Sequence, residues 1–324
     1  MFNSKSILIT GGTGTFGKYF LDVIVNKYTP KKIIIFSRDE YKQFKLQEKM
    51  SSHPKFKKLR FYLGDVRDVD RLNMAFREVD YVIHAAAMKQ IPSTEKEPLE
   101  CIKTNINGAE NVIKAAINNK VKKVIALSTD KAVNPVNLYG ATKLASDKLF
   151  VSANLLSGNI KTKFSVVRYG NVISSRGSVI PIFLELKKNN SKYIPITNSE
   201  MTRFVITKEE AIQFVIDSFK IMNGGEVFIP KIPSVNIIDL AKAIHPKAKI
   251  KIIGIRQGEK IHESLFSKEE SHLVRQYKKL YVLVSPLLPN KNIEKNSKKV
   301  SLNFEYNSGT NLKFLNKKEI LNLL

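Results

Sequence analysis

Two clusters in this 324-residue chain have the residue types and spacing for chemistry. The first is Gly11-Gly12-Thr13-Gly14-Thr15-Phe16-Gly17, directly after the apolar run 6–10 and ahead of a helical pattern. Glycines at 11, 14 and 17 allow a tight turn, a close approach of backbone to a pyrophosphate and close helix–strand packing, with the anion on the helix N-terminus. A second apolar run ends in Ser37-Arg38-Asp39-Glu40, roughly 20 residues on, where the adenosine ribose of a dinucleotide lies. The hydroxyl of Ser37 and the forked cation of Arg38 suit a 2′-phosphate, so the expected cofactor is NADP. Asp65-Val66 is expected to flank the adenine, and Ala85-Ala86-Ala87 is small enough to let the cofactor lie close.

The second cluster is Ser128-Thr129-Asp130-Lys131, at the end of another apolar run, with Tyr139 and Lys143 in the next helical segment. The chain has three Tyr/Lys pairs four apart: Tyr28/Lys32, Tyr41/Lys45 and Tyr139/Lys143. Only the third follows a strand end carrying a hydroxyl, an acid and an amine. Side chains four apart share a helix face, and Lys143 together with an oxidised nicotinamide favours ionised Tyr139. Such a phenolate can take the proton of a sugar hydroxyl as hydride leaves its carbon, with Thr129 holding the oxygen. Once carbon 4 of a hexose is a ketone, the proton on carbon 5 is acidic and the hydroxyl on carbon 6 can leave. That elimination needs a base and an acid. A partly desolvated Lys131 is expected to be neutral enough for the base, with Asp130 as the acid. The same two residues also read as a strand-end ion pair or a helix cap.

A doubly wound sheet would carry both clusters at the carboxyl ends of its strands. The runs 6–10, 32–37, 59–64, 81–86, 123–128 and 164–169 are near-continuously apolar rather than alternating, as parallel strands covered on both faces are. Helical patterns lie between them: Phe16, Phe20, Val23 and Ile24 at three- and four-residue spacing, then 69–79 and 98–119. The expected fold is α/β, a Rossmann-type doubly wound parallel sheet with a smaller C-terminal substrate-binding lid. The dinucleotide domain is placed at 1–172, with 203–232 packed on it, and the lid at 173–202 and 233–324. In the second half the spacing predicts a helix over 207–222, opened by a Thr207/Glu210 capping box. Strands are expected at 227–230 and 249–255, with a helix at 237–244 between them.

The net charge of +25 first suggests nucleic acid. Only ten of the 54 basic residues are arginine, and the lysines run along the whole chain without aromatics between them, so a solvated surface that attracts anionic substrates is the better reading. Five histidines without ligand spacing predict no metal site, and the single cysteine, Cys101, predicts packing rather than a disulfide. No apolar run is long enough to cross a membrane, and the first strand begins close to Met1. No nucleic-acid or membrane partner is expected, and the location is expected to be cytoplasmic.

These motifs resemble a known family. Residues 10–17 are similar to the extended short-chain dehydrogenase/reductase signature. The stretches 37–40, 64–67, 84–89, 128–135, 138–149, 168–181, 201–204 and 254–263 resemble the inverting UDP-N-acetylglucosamine 4,6-dehydratases that begin pseudaminic acid synthesis. The resemblance implies catalysis by Thr129, Asp130, Lys131, Tyr139 and Lys143, with hydride returning to carbon 6. Lys131 would reprotonate carbon 5 on the opposite face, leaving a 4-keto-6-deoxy sugar of inverted configuration. It implies cofactor contacts from Lys42 and Thr104 as well as the residues above. Lys89, Asn171, Val179, Thr197, Arg203, Arg256 and Glu259 fall at substrate-binding positions, and a homo-oligomer is implied. Tyr139 stands where the membrane-bound, configuration-retaining branch carries methionine, while Gln90, Lys96 and Val205 depart from the usual pattern. Two other readings stay open: a nucleotide-sugar 4-epimerase or reductase using Tyr139 and Lys143 alone, and a non-catalytic NADP-binding regulator.

Overall fold

A computed structural model describes residues 1–158, 160–173 and 178–323. Residues 174–177, within the motif stretch 168–181, lie outside the described residues. Six strands alternate with helices in the first half: β1 (Ser6–Thr10), β2 (Lys32–Ser37), β3 (Leu59–Leu63), β4 (Tyr81–His84), β5 (Lys123–Thr129) and β6 (Lys163–Tyr169). They are parallel in the order β3-β2-β1-β4-β5-β6. The order reverses between β1 and β4, so the ligand crevice opens there, beyond the strand ends. The doubly wound α/β expectation holds. β1 is buried along its whole length, as a central strand with helices on both faces must be.

The second half adds β7 (Asn171–Val172), β8 (Tyr193–Ile196), β9 (Thr202–Ile206), β10 (Val227–Pro230), β11 (Ser234–Asn236) and β12 (Lys249–Ile252). β10 continues the large sheet parallel to β6. The helix Lys208–Ile221 has the expected capping box at Thr207 and Glu210. A three-stranded sheet β11-β9-β7 and a parallel pair β12-β8 enclose a second core of Ile173, Phe183, Ile194, Val235, Leu240 and Ile244.

Three expectations need correction. The tail was expected to belong wholly to the lid. After β13 (Ser264–Phe266), however, β14 (Val274–Tyr277) and β15 (Leu280–Leu283) form a hairpin that pairs antiparallel with β10, extending the large sheet. Val274, Tyr281 and Val282 join its core. The single helix expected over 98–119 is broken into Pro98–Ile102, a π-turn Lys103–Asn107 and Gly108–Asn118. The π-turn carries Asn105, whose side chain accepts from the Met88 N–H at 2.8 Å and donates to Thr142 Oγ1 at 3.0 Å, tying three segments beside the cleft. The strand expected over 249–255 stops at Ile252, because Gly254 takes φ +86°.

Candidate active site

A cleft of about 950 Å³ runs over the carboxyl ends of the parallel strands. The glycine turn forms one end. Gly11 has φ +64°, and a methyl there would stand 2.9 Å from the Ala86 backbone; a methyl on Gly17 would stand 2.5 Å from the Gly12 carbonyl oxygen. Only glycine fits either place. Gly14 caps the helix Thr15–Lys27 without a side-chain hydrogen bond, and no acidic residue lies in the first turn. The leading N–H groups of that helix are left to an anion. Thr13, Thr15 and Phe16 line the same end.

At the adenosine end, Ser37, Arg38, Asp39, Lys42, Asp65 and Val66 line the cleft. Ser37 Oγ accepts from Gln43 Nε2 at 3.0 Å, and Asp39 caps the next helix by accepting from the Lys42 N–H at 2.9 Å. Arg38 is exposed and 3.7 Å from Asp65 Oδ2. Burial pushes the Asp65 carboxyl up, but the hydrogen bonds and charge of Arg67, with the charge of Arg38, outweigh it and hold the carboxyl below its usual range. Farther along, Ala85, Ala86 and Ala87 form a smooth wall opposite Thr104. Thr104 Oγ1 is buried without a partner, the kind of polar atom that a bound amide or ribose would satisfy. These features together fit a dinucleotide.

The reacting end is built on the β5 terminus and the helix Leu138–Leu156. Thr129, Lys131, Tyr139 and Lys143 line the cleft. Asp130 is fully buried behind them, with Thr129 Oγ1 donating to its Oδ1 at 2.9 Å and Lys131 Nζ at 3.0 Å; its Oδ2 has no partner. Lys131 Nζ also reaches Asn171 Oδ1 at 3.5 Å and Glu263 Oε1 at 3.4 Å. Behind Lys143, one helical turn on, Asp147 accepts from Ser128 Oγ at 2.7 Å and faces Arg168 Nη2 at 3.4 Å.

The segment 256–263 closes the far side. Arg203 Nη1 donates to the Ile261 carbonyl at 3.0 Å and Nη2 to the Lys260 carbonyl at 3.0 Å; Asn137 Nδ2 donates to the Gly258 carbonyl at 2.7 Å. Arg256 and Glu259 pair at 3.5 Å and line the cleft with Lys89, Asn171, Val179 and Arg203. Glu40 and Thr197, among the described residues, do not line it. Glu40 is exposed at the start of the helix Glu40–Met50, and Thr197 is buried in the lid with Oγ1 donating to Met201 Sδ at 3.4 Å.

A family model described as polysaccharide biosynthesis protein matches residues 7–285. The chain belongs to that family. It is 53% identical to the inverting UDP-N-acetylglucosamine 4,6-dehydratase of Campylobacter jejuni, over 100% of this chain and 98% of that protein. It is 43% identical to a UDP-glucose 4-epimerase of Rickettsia bellii, over 100% of this chain and 96% of that one. Among solved structures, Pen from Bacillus thuringiensis superposes with a TM-score of 0.91 at 40% identity, covering 100% of this chain and 98% of that one. The family resemblance read from the motifs is thereby established.

Within this family frame, two electrostatic expectations need correction. Lys131 was expected to be neutral. Burial does push its ammonium down, but the carboxylates of Asp130 and Glu263 outweigh burial and hold it charged, above the usual lysine range. Tyr139 was expected to be lowered by Lys143 together with an oxidised nicotinamide, and the Lys143 part does not hold. Burial instead pushes the phenol up to about 12, and the opposing pull comes from Lys131 and a hydrogen bond with Thr129. Lys143 is itself pushed down by burial, partly offset by Asp147. His84 is the core histidine its strand-end position suggests: burial, then Lys143, pushes it down to about 3, and Nδ1 pairs with Thr10 Oγ1 at 2.8 Å.

Three further residues reach the reacting end that residue spacing left without a role. Glu263 closes the motif stretch 254–263, a signal that could have marked it. Asp147 lies four residues after Lys143, within the motif stretch 138–149, and Arg168 sits next to the end of β6 and opens the stretch 168–181, so the same signal could have marked both.

Proposed function

We propose that the protein is a cytoplasmic, NADP-dependent UDP-N-acetylglucosamine 4,6-dehydratase that inverts carbon 5. The observation that carries this reading is Lys131 on the same cleft wall as Tyr139 and Lys143, with Asp130 buried directly behind it and paired to it at 3.0 Å, because an acid–base couple beside an oxidising site is what elimination requires. The family relative that bears the dehydratase name over the full chain length supports it.

NADP, when bound, supplies reversible hydride acceptance at carbon 4 and donation at carbon 6. Gly11, Gly14, Thr15 and the helix N-terminus would hold its pyrophosphate, and Arg38 with Ser37 its 2′-phosphate. The Tyr139 phenolate, favoured by the positive charge of an oxidised nicotinamide against the burial that holds the phenol up, takes the proton from the carbon-4 hydroxyl. Lys131 then takes the carbon-5 proton, while Asp130 gives a proton to the departing carbon-6 hydroxyl, which leaves as water. Lys131 returns its proton to the opposite face of carbon 5. A single proton transfer across the 3.0 Å Lys131–Asp130 contact makes the neutral amine and the neutral acid at once, so the charged resting pair is compatible with both roles. At the end of a turnover Asp130 has lost a proton and Tyr139 has gained one. Thr129, which donates to Asp130 and bonds Tyr139, lies on the path that restores both. Arg256 and Glu259 are assigned to the diphosphate and ribose hydroxyls, and Lys89, Asn171, Val179 and Arg203 to the rest of the substrate.

Incubation of purified protein with UDP-N-acetylglucosamine is expected to yield a product lighter by one water, read by mass spectrometry. Recovery of unchanged or merely epimerised sugar refutes the reading. The epimerase reading, favoured by the Rickettsia relative, predicts that Lys131→Ala spares turnover; the dehydratase reading predicts that it abolishes water loss. A homo-oligomer is part of the proposal, and light scattering at the single-chain mass of 36.7 kDa would refute that part.

A further inference from the structure

We propose that Glu263 is the fixed counter-charge of the site, the residue that aims the Lys131 amine and sets its affinity for the carbon-5 proton; this rests on the dehydratase reading above. An ammonium has three N–H bonds to place. Lys131 Nζ has three acceptors around it: Asp130 Oδ1 at 3.0 Å, Asn171 Oδ1 at 3.5 Å and Glu263 Oε1 at 3.4 Å. Remove Glu263 and one direction is lost, together with half of the negative charge facing the amine.

Glu263 is built in rather than incidental. It is 3% exposed. Its backbone N–H donates to Ser308 Oγ at 2.9 Å, and its carbonyl accepts from the Ser308 N–H at 2.8 Å, which pins the residue to the tail. A carboxylate buried this deeply is unfavourable unless paired. Lys131, Arg203 Nε at 4.0 Å and Lys260 Nζ at 3.5 Å supply the pairing. Burial pushes the Glu263 carboxyl up, but those three cations outweigh burial and keep it below the ordinary range.

Asp130 differs. It has one cation rather than three, and burial pushes it up. The two carboxylates that flank Lys131 therefore divide the work. Asp130 is the one that gains and loses a proton in each turnover, and Glu263 stays ionised throughout. A permanent negative charge beside the amine favours the ammonium formed when the carbon-5 proton is taken, so it strengthens Lys131 as a base. It also keeps Nζ aimed at one place while the proton leaves one face of the sugar and returns to the other. The charged groups facing Lys131 are Asp130 on its own turn, Glu263 from the segment before β13 and Arg203 on β9, with the Tyr139 phenol facing it from the helix Leu138–Leu156.

The test uses full-length Glu263→Gln and Glu263→Asp, with a readout that does not depend on turnover. Each protein is exposed to a trace of acetic anhydride at about pH 10, near the ordinary lysine range, and acetylation of Lys131 is followed by peptide mass spectrometry with the other lysines as internal controls. An opposite charge at this range shifts a lysine by about one to two pH units, so Lys131 is expected to react at least about tenfold faster in Glu263→Gln. Glu263→Asp should show a smaller increase. Where Glu263→Gln fails to fold, Glu263→Asp is read alone, and its Lys131 must still react faster than in the parent protein. Water loss by the parent protein is followed in parallel. Unchanged Lys131 reactivity in a folded variant overturns the proposal, whereas a parent protein that releases no water from the sugar refutes the dehydratase reading and leaves the labelling result standing on its own.

Discussion

Asp130→Asn is expected to stabilise the protein while disabling it. Asp130 is 0% exposed, its Oδ1 is shared by the Lys131 ammonium and the Thr129 hydroxyl, and its Oδ2 meets nothing. A buried polar atom without a partner is unfavourable by about 1–3 kcal/mol, and more when charged. Asparagine keeps an acceptor on the Oδ1 side and removes the charge, although its amide N–H groups then occupy the partnerless Oδ2 place and keep part of that cost. The loss of the Lys131 ion pair offsets part of the gain, but Glu263 remains 3.4 Å from that ammonium. We expect a net gain of about 1–2 kcal/mol, a rise in Tm of roughly 1.5–3 °C for a chain of this size. Burial raises the folded-state pKa of Asp130 above its unfolded value. Stability from such a group is fully present below the unfolded carboxylate range and is lost as pH rises through the folded pKa. The advantage of Asp130→Asn should therefore be absent at about pH 4 and grow as pH rises, in thermal melts followed by circular dichroism. Without its acid, the variant should lose about 10²–10⁴-fold in water release. An equal or lower Tm than the parent at about pH 8 would refute the reasoning, because it would mean that the Asp130–Lys131 pair stabilises the fold outright.

Arg38→Ala should weaken NADP binding more than NAD binding in calorimetric titrations; equal loss for both cofactors removes the 2′-phosphate assignment. Gly17→Ala places a methyl 2.5 Å from the Gly12 carbonyl oxygen, so overpacking by about 1–3 kcal/mol should lower Tm and loosen the dinucleotide together. Arg168→Met leaves Asp147 and Glu270 facing each other without the guanidinium between them, and should destabilise by about 3–5 kcal/mol in urea titration. Adding Asp147→Asn to Arg168→Met should recover part of that loss, and strict additivity would show that the two are not coupled.

The parts of the fold that the sequence makes legible share a property: their chemistry is local. The parallel strands inside the sheet announce themselves because a strand buried on both faces is largely apolar, and β2 and β10 stop where the apolar runs stop; β3, at the sheet edge, is buried only at Leu59. The glycine turn is legible because the constraint on Gly11 and Gly17 is steric and sits within a few residues of chain. The Thr207/Glu210 box is legible because both partners lie within one helical turn. The tail hairpin is not. β14 and β15 are short and polar-flanked, and their place beside β10 depends on a pairing partner some 50 residues upstream. The π-turn is hidden for a similar reason, since its cause is the Asn105 side chain reaching Met88 and Thr142.

The electrostatics of the site are the hardest to read along the chain, and Lys131 shows why. Its sequence neighbours are one acid and two small apolar residues, a setting in which desolvation is the obvious force and a neutral amine the obvious outcome. Asp130 reverses that outcome together with Glu263, which joins it from 132 positions away in the chain, at 3.4 Å in space. Arg203 and Lys260 then keep Glu263 ionised, so the charge on one lysine depends on residues from three separate segments. Tyr139 makes the same point in reverse. Four-residue spacing assigns it to Lys143, yet the pull on its phenol comes from Lys131 and Thr129, because the strand end and the helix start converge on one corner of the cleft. Spacing identifies which residues can react. Which of them holds the proton at rest follows only from the three-dimensional sum of charges, and in this site that sum runs through Glu263.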